Sequence, residues 1–161
     1  MDNWVCYVIV SNTSNQTYVG ASNNAVKRLY NHNRGAGAKR TRGQTWAHTF
    51  IISGFECKRS CLSFEAGFKR LGKRRVNSRF NEINAKYDLN LKYTRNFVHN
   101  RLLDLLYFVR NFSYTQPKFM MWSPNKIRPP QLTLTYNAFE YMLDLPWPKF
   151  ITLDIHPDIL F

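Results

Sequence analysis

Residues 4–10, WVCYVIV, form an unbroken apolar and β-branched run, the pattern of a buried strand. SNTSNQ (11–16) is a turn cluster, and TYVGA (17–21) reads as the partner strand of a hairpin. Ser22 is placed to cap a helix over Asn23–Asn33, with Val26, Leu29, Tyr30 and Asn33 on one face. RGAGAKRTRGQT (34–45) is a Gly-rich basic loop, and WAHTFII (46–52) is a third strand. SGFE turns into a helix over Cys57–Leu71. Residues 72–93 mix loop and short helix with no clear period. Thr94–Asn111 reads as a longer helix with Phe97, Leu102, Leu105, Leu106 and Val109 inward. After a Pro-rich connection at 113–130, LTLTY (132–136) and FITLDI (150–155) alternate like strands around a helical pattern at 138–145. The order predicts an α/β (α+β) fold. A small three-stranded sheet flanked by helices fills residues 1–90, and residues 91–161 form a helical and β appendage that packs on it or makes a dimer interface.

Charge changes this picture by where it sits. Residues 1–112 hold 19 Lys and Arg against 6 Asp and Glu, and residues 113–161 hold 4 of each, so the entire excess of +13 lies in the first part. Such an excess points to a polyanion, most often nucleic acid, over the plainer reading of a solvated basic surface. Three Cys make no even disulfide set and suggest reduced thiols in an intracellular setting. The start, MDNWVCYVIV, has no secretory pattern, and LLDLLYFV is interrupted by Asp104 and too short to span a membrane.

From Asn3 to Asn81 the chain has two carboxylates, Glu56 in a probable turn and Glu65 on the stripe of its helix that carries Cys61, Leu62 and Phe68. Burying a charge there is costly unless something neutralises it. A neighbouring arginine would serve, and so would a divalent cation facing a phosphate. One carboxylate with water and phosphate oxygens suits Mg²⁺, which keeps much of its hydration shell. Tyr7 and Tyr18 lie on strands that would pair as a hairpin, so both phenols can share one sheet face as proton shuttles or simply as core tyrosines. Arg28 and His32, four residues apart on the first helix, point to one side, where Arg can grip a phosphate and His can relay a proton, or where both simply face water. Lys39, Arg40 and Arg42 in the glycine loop can follow a phosphate backbone. No zinc-site spacing, P-loop, GxGxxG or GxSxG occurs.

These elements fall in a specific order. C-Y-V at 6–8 followed by Y-V-G at 18–20 resembles the two tripeptides that name the GIY-YIG nuclease superfamily. KRLYNHNRGAGAKRTRGQTW resembles the corresponding stretch of the structure-specific endonucleases of the SLX-one type, and IISGFECKRSCLSFEAGFKR resembles their strand, their G-F and the F-E that ends in the metal-binding Glu. The match covers about residues 4–70.

The resemblance implies a small sheet flanked by helices and a metal-dependent hydrolysis of DNA phosphodiesters, leaving 5′-phosphate and 3′-hydroxyl ends. Tyr7 and Tyr18 would be the paired tyrosines, one of them activating water, with Tyr18 favoured. Arg28 would hold the scissile phosphate, His32 would orient or deprotonate a tyrosine, and Glu65 would hold one Mg²⁺ or Mn²⁺. Lys27, Arg34, Lys39, Arg40, Arg42, Lys69 and Arg70 would line the DNA. Cys6 replaces the first Gly of the motif, and A-G-F-K-R-L-G replaces the W-x-x-Q-H-P usual after the Glu of the SLX-one branch. Asn81 and Asn84 are both candidates for the Asn of the family site. The Cys/His-rich zinc domain that docks SLX-one proteins on a scaffold partner has no counterpart here. The expected partner is therefore branched double-stranded DNA such as flaps, forks and Holliday junctions, with no scaffold partner and no membrane. A homodimer could present two sites to a four-way junction. A compact stand-alone form also fits a large DNA virus, with the protein in the nucleus or at the site of viral DNA replication. The alternatives are a sequence-specific enzyme of restriction or homing type and a non-catalytic nucleic-acid-binding module.

Overall fold

A computed structural model describes residues 3–111, 131–136 and 144–155. The apolar runs become strands β1 (Val5–Ser11), β2 (Thr17–Ser22) and β3 (Trp46–Ser53), and β4 (Leu132–Tyr136) and β5 (Ile151–Ile155) follow late in the chain. The helices are α1 (Ala25–Asn33), α2 (Lys58–Arg70), α3 (Asn81–Tyr87) and α4 (Phe97–Arg110). The class is mixed α/β, as expected, but the sheet has five strands in the order β2-β1-β3-β4-β5, not three. The reason is the free edge of β3. Its unpaired backbone groups accept β4 in antiparallel register, Phe50 opposite Tyr136 and Ile52 opposite Leu134. β4 alternates, with Leu132, Leu134 and Tyr136 buried. β5 then pairs parallel to β4, across a connection long enough for a parallel crossover. The Pro-rich stretch at 113–130 and most of the expected 138–145 helix lie outside the described residues.

The two sheet faces differ. One carries Cys6, Val8, Val19, Phe50 and Ile52 against Cys61, Phe64 and Phe68 of α2 and Leu102, Leu105 and Val109 of α4. Gly67 lets the helices approach closely, because a Cβ there would press on the Phe108 ring. The other face carries Tyr7, Ile9 and Ile51 with Tyr18 beside them, under Leu29 of α1. The register between β1 and β3 shifts between Val8 and Ile9, leaving Thr49 as an extra residue whose hydroxyl donates to the Val8 carbonyl at 2.9 Å.

Two helices depart from their apolar patterns. On α1 the cap is Asn24, whose side chain accepts from the Lys27 amide, and Ser22 instead accepts from the Asn24 amide. Leu29 and His32 face inward, while Val26 (55% exposed) and Tyr30 (64% exposed) face solvent. The sheet face beneath presents a phenol, and the helix turns its imidazole toward it rather than its second apolar pair. On α2, Leu62 is exposed and Phe64 takes the inward place, which leaves Glu65 at the edge of the buried stripe rather than on it. Phe97, at the start of α4, is also exposed (38%), since the first turn projects beyond the core.

Residues 71–93, without a legible period, are held by tertiary contacts. Asp104, fully buried on α4, accepts from Arg75 (Nε 3.0 Å, Nη2 2.8 Å), Arg101 (3.3 Å) and the Tyr93 hydroxyl (2.7 Å). Arg79 lies 3.7 Å from its other oxygen and donates to the Leu71 carbonyl. Among the described residues no helix is long and apolar enough to cross a membrane.

Candidate active site

Tyr7 stands opposite Gly20 across the hairpin, and Tyr18 stands opposite Ile9, so the two phenols share the α1 face of the sheet. Gly20 is needed there: a Cβ would collide with the Tyr7 hydroxyl and ring carbon. The Tyr7 hydroxyl is 2.8 Å from Nε2 of His32, and Nδ1 of His32 is 2.8 Å from Oγ1 of Thr41. Thr41 in turn donates its one hydroxyl hydrogen to the Ala38 carbonyl at 2.8 Å. With that hydrogen committed, Oγ1 can only accept from the imidazole, so the proton of neutral His32 sits on Nδ1 and bare Nε2 accepts from Tyr7. The result is a one-way chain: Tyr7 O–H to His32, His32 N–H to Thr41, Thr41 O–H to a backbone carbonyl.

Electrostatics keep that chain neutral. Burial lowers the His32 pKa to about 4, aided by the charges of Arg28 and His48. Burial pushes the Tyr7 phenol up to about 12, and the nearby Arg28 guanidinium works against that. The positive charge of Arg28 therefore favours negative charge on that phenol. Edge-on contacts with His32 (5.9 Å between centroids) and His48 (5.8 Å, 84° between planes) fix the Tyr7 ring.

Tyr18 is half-buried, its ring centroid 5.1 Å from that of His32. The ammonium of Lys69 lies over the Tyr18 ring at 4.7 Å and is 3.8 Å from Oε1 of Glu65. Burial raises the Glu65 pKa, and Lys69 pulls it back. The structure thus links Tyr7, His32, Tyr18, Lys69 and Glu65 by successive contacts, with the charge of Arg28 acting on Tyr7 and His32, although these residues come from β1, β2, α1 and α2.

The donor set limits which ion fits. Among the described residues no three His, Cys, Asp or Glu side chains gather to hold a metal, which is wrong for zinc. A half-buried carboxylate whose ion-pair partner is a single lysine suits an ion that keeps its water, so Glu65 fits one Mg²⁺ or Mn²⁺.

The remaining cations divide. Lys39, Arg40 and Arg42 are exposed around the 3₁₀ turn Lys39–Thr41 that supplies the His32 partner, so they border the relay. The glycine loop carrying them is anchored rather than loose. Ala36 bonds back to Asn31, the Trp46 indole donates to the Thr41 carbonyl, and the Asn33 side chain takes both backbone groups of Trp46. Gly37 packs so closely on His32 that a Cβ would meet its ring. Lys27 and Arg70 are exposed on α1 and α2. Arg34 turns away from the relay, stacking over Tyr30 at 5.4 Å and bonding Asn31. Asn84 bonds both backbone groups of Leu91, which assigns it to the α3–α4 connection.

Sequence reasoning missed Thr41, Gly37 and His48. Thr41 lies inside K-R-T-R, where the surrounding cations drew attention and the hydroxyl did not. His48 looks like an ordinary strand position until the bulge at Thr49 sets its register.

The model of the GIY-YIG catalytic domain matches residues 3–81. An uncharacterized protein of Acanthamoeba polyphaga mimivirus is 45% identical over 158 residues, which cover 94% of this chain and 95% of the relative. A UPF0213 protein of Bacillus velezensis is 38% identical over 69 residues, 43% of this chain and 69% of the relative. The structure-specific endonuclease subunit SLX1 of Phaeosphaeria nodorum is 37% identical over 67 residues, 38% of this chain but only 18% of that protein.

Proposed function

This chain belongs to the GIY-YIG nuclease superfamily, and from that premise we propose that it is a divalent-metal-dependent, structure-specific endonuclease acting on branched DNA. The observation that carries the reading is the buried chain from Tyr7 through His32 to Thr41, with Arg28 against the same phenol. A structural tyrosine needs no neutral imidazole aligned to take its proton. A water-activating one does.

In the proposed reaction, a water oxygen attacks the phosphorus in line and forms the new P–O bond. Its proton passes to the Tyr7 oxygen as the Tyr7 proton passes to Nε2 of His32, so neither an isolated phenolate nor a charged imidazole is needed beforehand. The P–O bond to the 3′ oxygen breaks, that oxygen takes a proton from solvent, and a 5′-phosphate remains. Arg28 neutralises the phosphate oxygens. Glu65 would hold one Mg²⁺ or Mn²⁺, which would supply Lewis-acid stabilisation of the leaving oxygen. The phenol with somewhere to send its proton is Tyr7, and this favours Tyr7 over Tyr18 as the activating group.

Branched DNA as the substrate is supported by the relatives named as structure-specific endonuclease subunits and by a basic excess confined to residues 1–112. The viral relative that spans nearly the whole chain supports action at a site of viral DNA replication. The test is cleavage of labelled four-way, flap and linear duplexes with Mg²⁺, with Glu65→Ala alongside. The expected outcome is cutting of the branched substrates, and a variant that binds them without cutting. Cutting of linear duplex at one sequence would overturn structure specificity, and full cutting by Glu65→Ala would remove the proposed site.

A further inference from the structure

Lys69 sits where the divalent ion has to act. It follows Glu65 by one helical turn, with the acid N-terminal to the base, the orientation that favours an i,i+4 pair. Its ammonium touches Glu65 at 3.8 Å and the Tyr18 ring face at 4.7 Å, so one side chain joins the carboxylate to the tyrosine pair. The backbone beneath it is held, since the Lys69 carbonyl accepts from Arg101, while the side chain is 39% exposed. A lysine on an ordinary surface helix would pair with its acid and touch nothing else. This one occupies the approach to the single carboxylate suited to the ion.

An ammonium and a divalent cation cannot share one carboxylate at such distances without strong repulsion. Resting on the proposed metal role of Glu65, we infer that Lys69 is a positioning residue: it holds Glu65 oriented and neutralised in the metal-free protein, and a divalent ion binds only by displacing it. The segment A-G-F-K-R-L-G, where this chain departs from the SLX-one pattern, thereby acquires a role in setting how much metal the enzyme requires.

The test measures metal binding on the intact protein without DNA. Mn²⁺ is titrated and the free ion is read by electron paramagnetic resonance, for the unaltered chain, Lys69→Met, Lys69→Arg and Glu65→Gln, each checked for folding by circular dichroism. Lys69→Met should tighten Mn²⁺ binding by about threefold, the scale of a partly exposed ion pair. Lys69→Arg, which keeps the charge, should bind as the unaltered chain does, and Glu65→Gln should lose the site. Unchanged or weaker binding in Lys69→Met overturns the inference, as does tightening of equal size in Lys69→Arg. Loss of the site in Glu65→Gln with no tightening in Lys69→Met removes the lysine role alone. Retained binding in Glu65→Gln removes the metal role of Glu65 and this inference with it.

Discussion

Two buried polar clusters among the described residues are built on opposite principles. Around Asp104 a full negative charge is surrounded by Arg75, Arg79, Arg101 and the Tyr93 hydroxyl. Around His32 the hydrogen-bonded groups are themselves neutral, a directed run from Tyr7 to the Ala38 carbonyl, with the charge of Arg28 acting on its first member. Charges compensated on all sides have nothing to exchange and serve to tie α4 to residues 71–93. A neutral imidazole beside a phenol is an unused proton acceptor. On the proposed function, the second cluster is therefore the one placed to react, although the first holds more ionic contacts.

The largest expected effect comes from Asp104→Ala. It removes the counter-charge of three largely buried guanidinium groups and should cost about 3–5 kcal/mol in urea unfolding, with cleavage per folded molecule changed only a few-fold. A loss below about 1 kcal/mol would mean that water already solvates those arginines.

Tyr7→Phe should behave in the opposite way. Removing the hydroxyl should lower cleavage by about 10²–10⁴-fold while costing about 1–2 kcal/mol of stability through the unpaired Nε2. Single-turnover rates for Tyr7→Phe and Tyr18→Phe, compared side by side, decide which phenol activates water; a larger defect in Tyr18→Phe would reassign the role.

Acid separates the clusters next. His32 and His48 have folded pKa values of about 4 against an ordinary 6.5, both lowered by burial. The unfolded chain therefore takes up protons that the folded one refuses. Their stabilising contribution is complete above about pH 6.5 and is lost as pH falls from there toward 4, on the order of 2–3 kcal/mol for each histidine. Unfolding midpoints at pH 7.5 and 5 should show the drop, and His48→Phe should reduce it. A midpoint that does not move would mean that both imidazoles are protonated in the folded protein.

Thr41→Val is the mildest change. It keeps the shape but leaves Nδ1–H without its acceptor, at about 1 kcal/mol. The ring can then adopt the other tautomer, in which Nε2 carries the proton and no longer accepts from Tyr7. Cleavage should fall by about tenfold, and Thr41→Ser should restore it.

Much of the scaffold was readable in one dimension. The runs at 4–10, 17–21 and 46–52 are strands, and the periods that place α2 and α4 hold apart from Leu62, Phe64 and Phe97, because their neighbours bury apolar surface on one side. The five residues expected at the site were picked out by order and identity. The orientation of α1 was not: its apolar pattern pointed Val26 and Tyr30 inward, and they are exposed. Periodicity assumes an apolar partner, and this partner face presents a phenol. The five-stranded sheet was hidden for a related reason, since the pairing of β3 with β4 joins residues far apart in sequence through backbone groups that no side-chain pattern records.

The sequence by itself determined the α/β class, the basic first part, the two tyrosine strands and the candidate residues Arg28, His32 and Glu65, because residue identity and local period are properties of the chain alone. Only the tertiary structure decided that His32 is buried and bare at Nε2, that Thr41 sets its tautomer, that Gly20 and Gly37 clear space for the Tyr7 and His32 rings, and that Lys69 bridges Glu65 and Tyr18. Proton direction and charge compensation depend on distances of about 3 Å between atoms whose residues are up to dozens of positions apart in the chain, and such distances exist only once the sheet has formed.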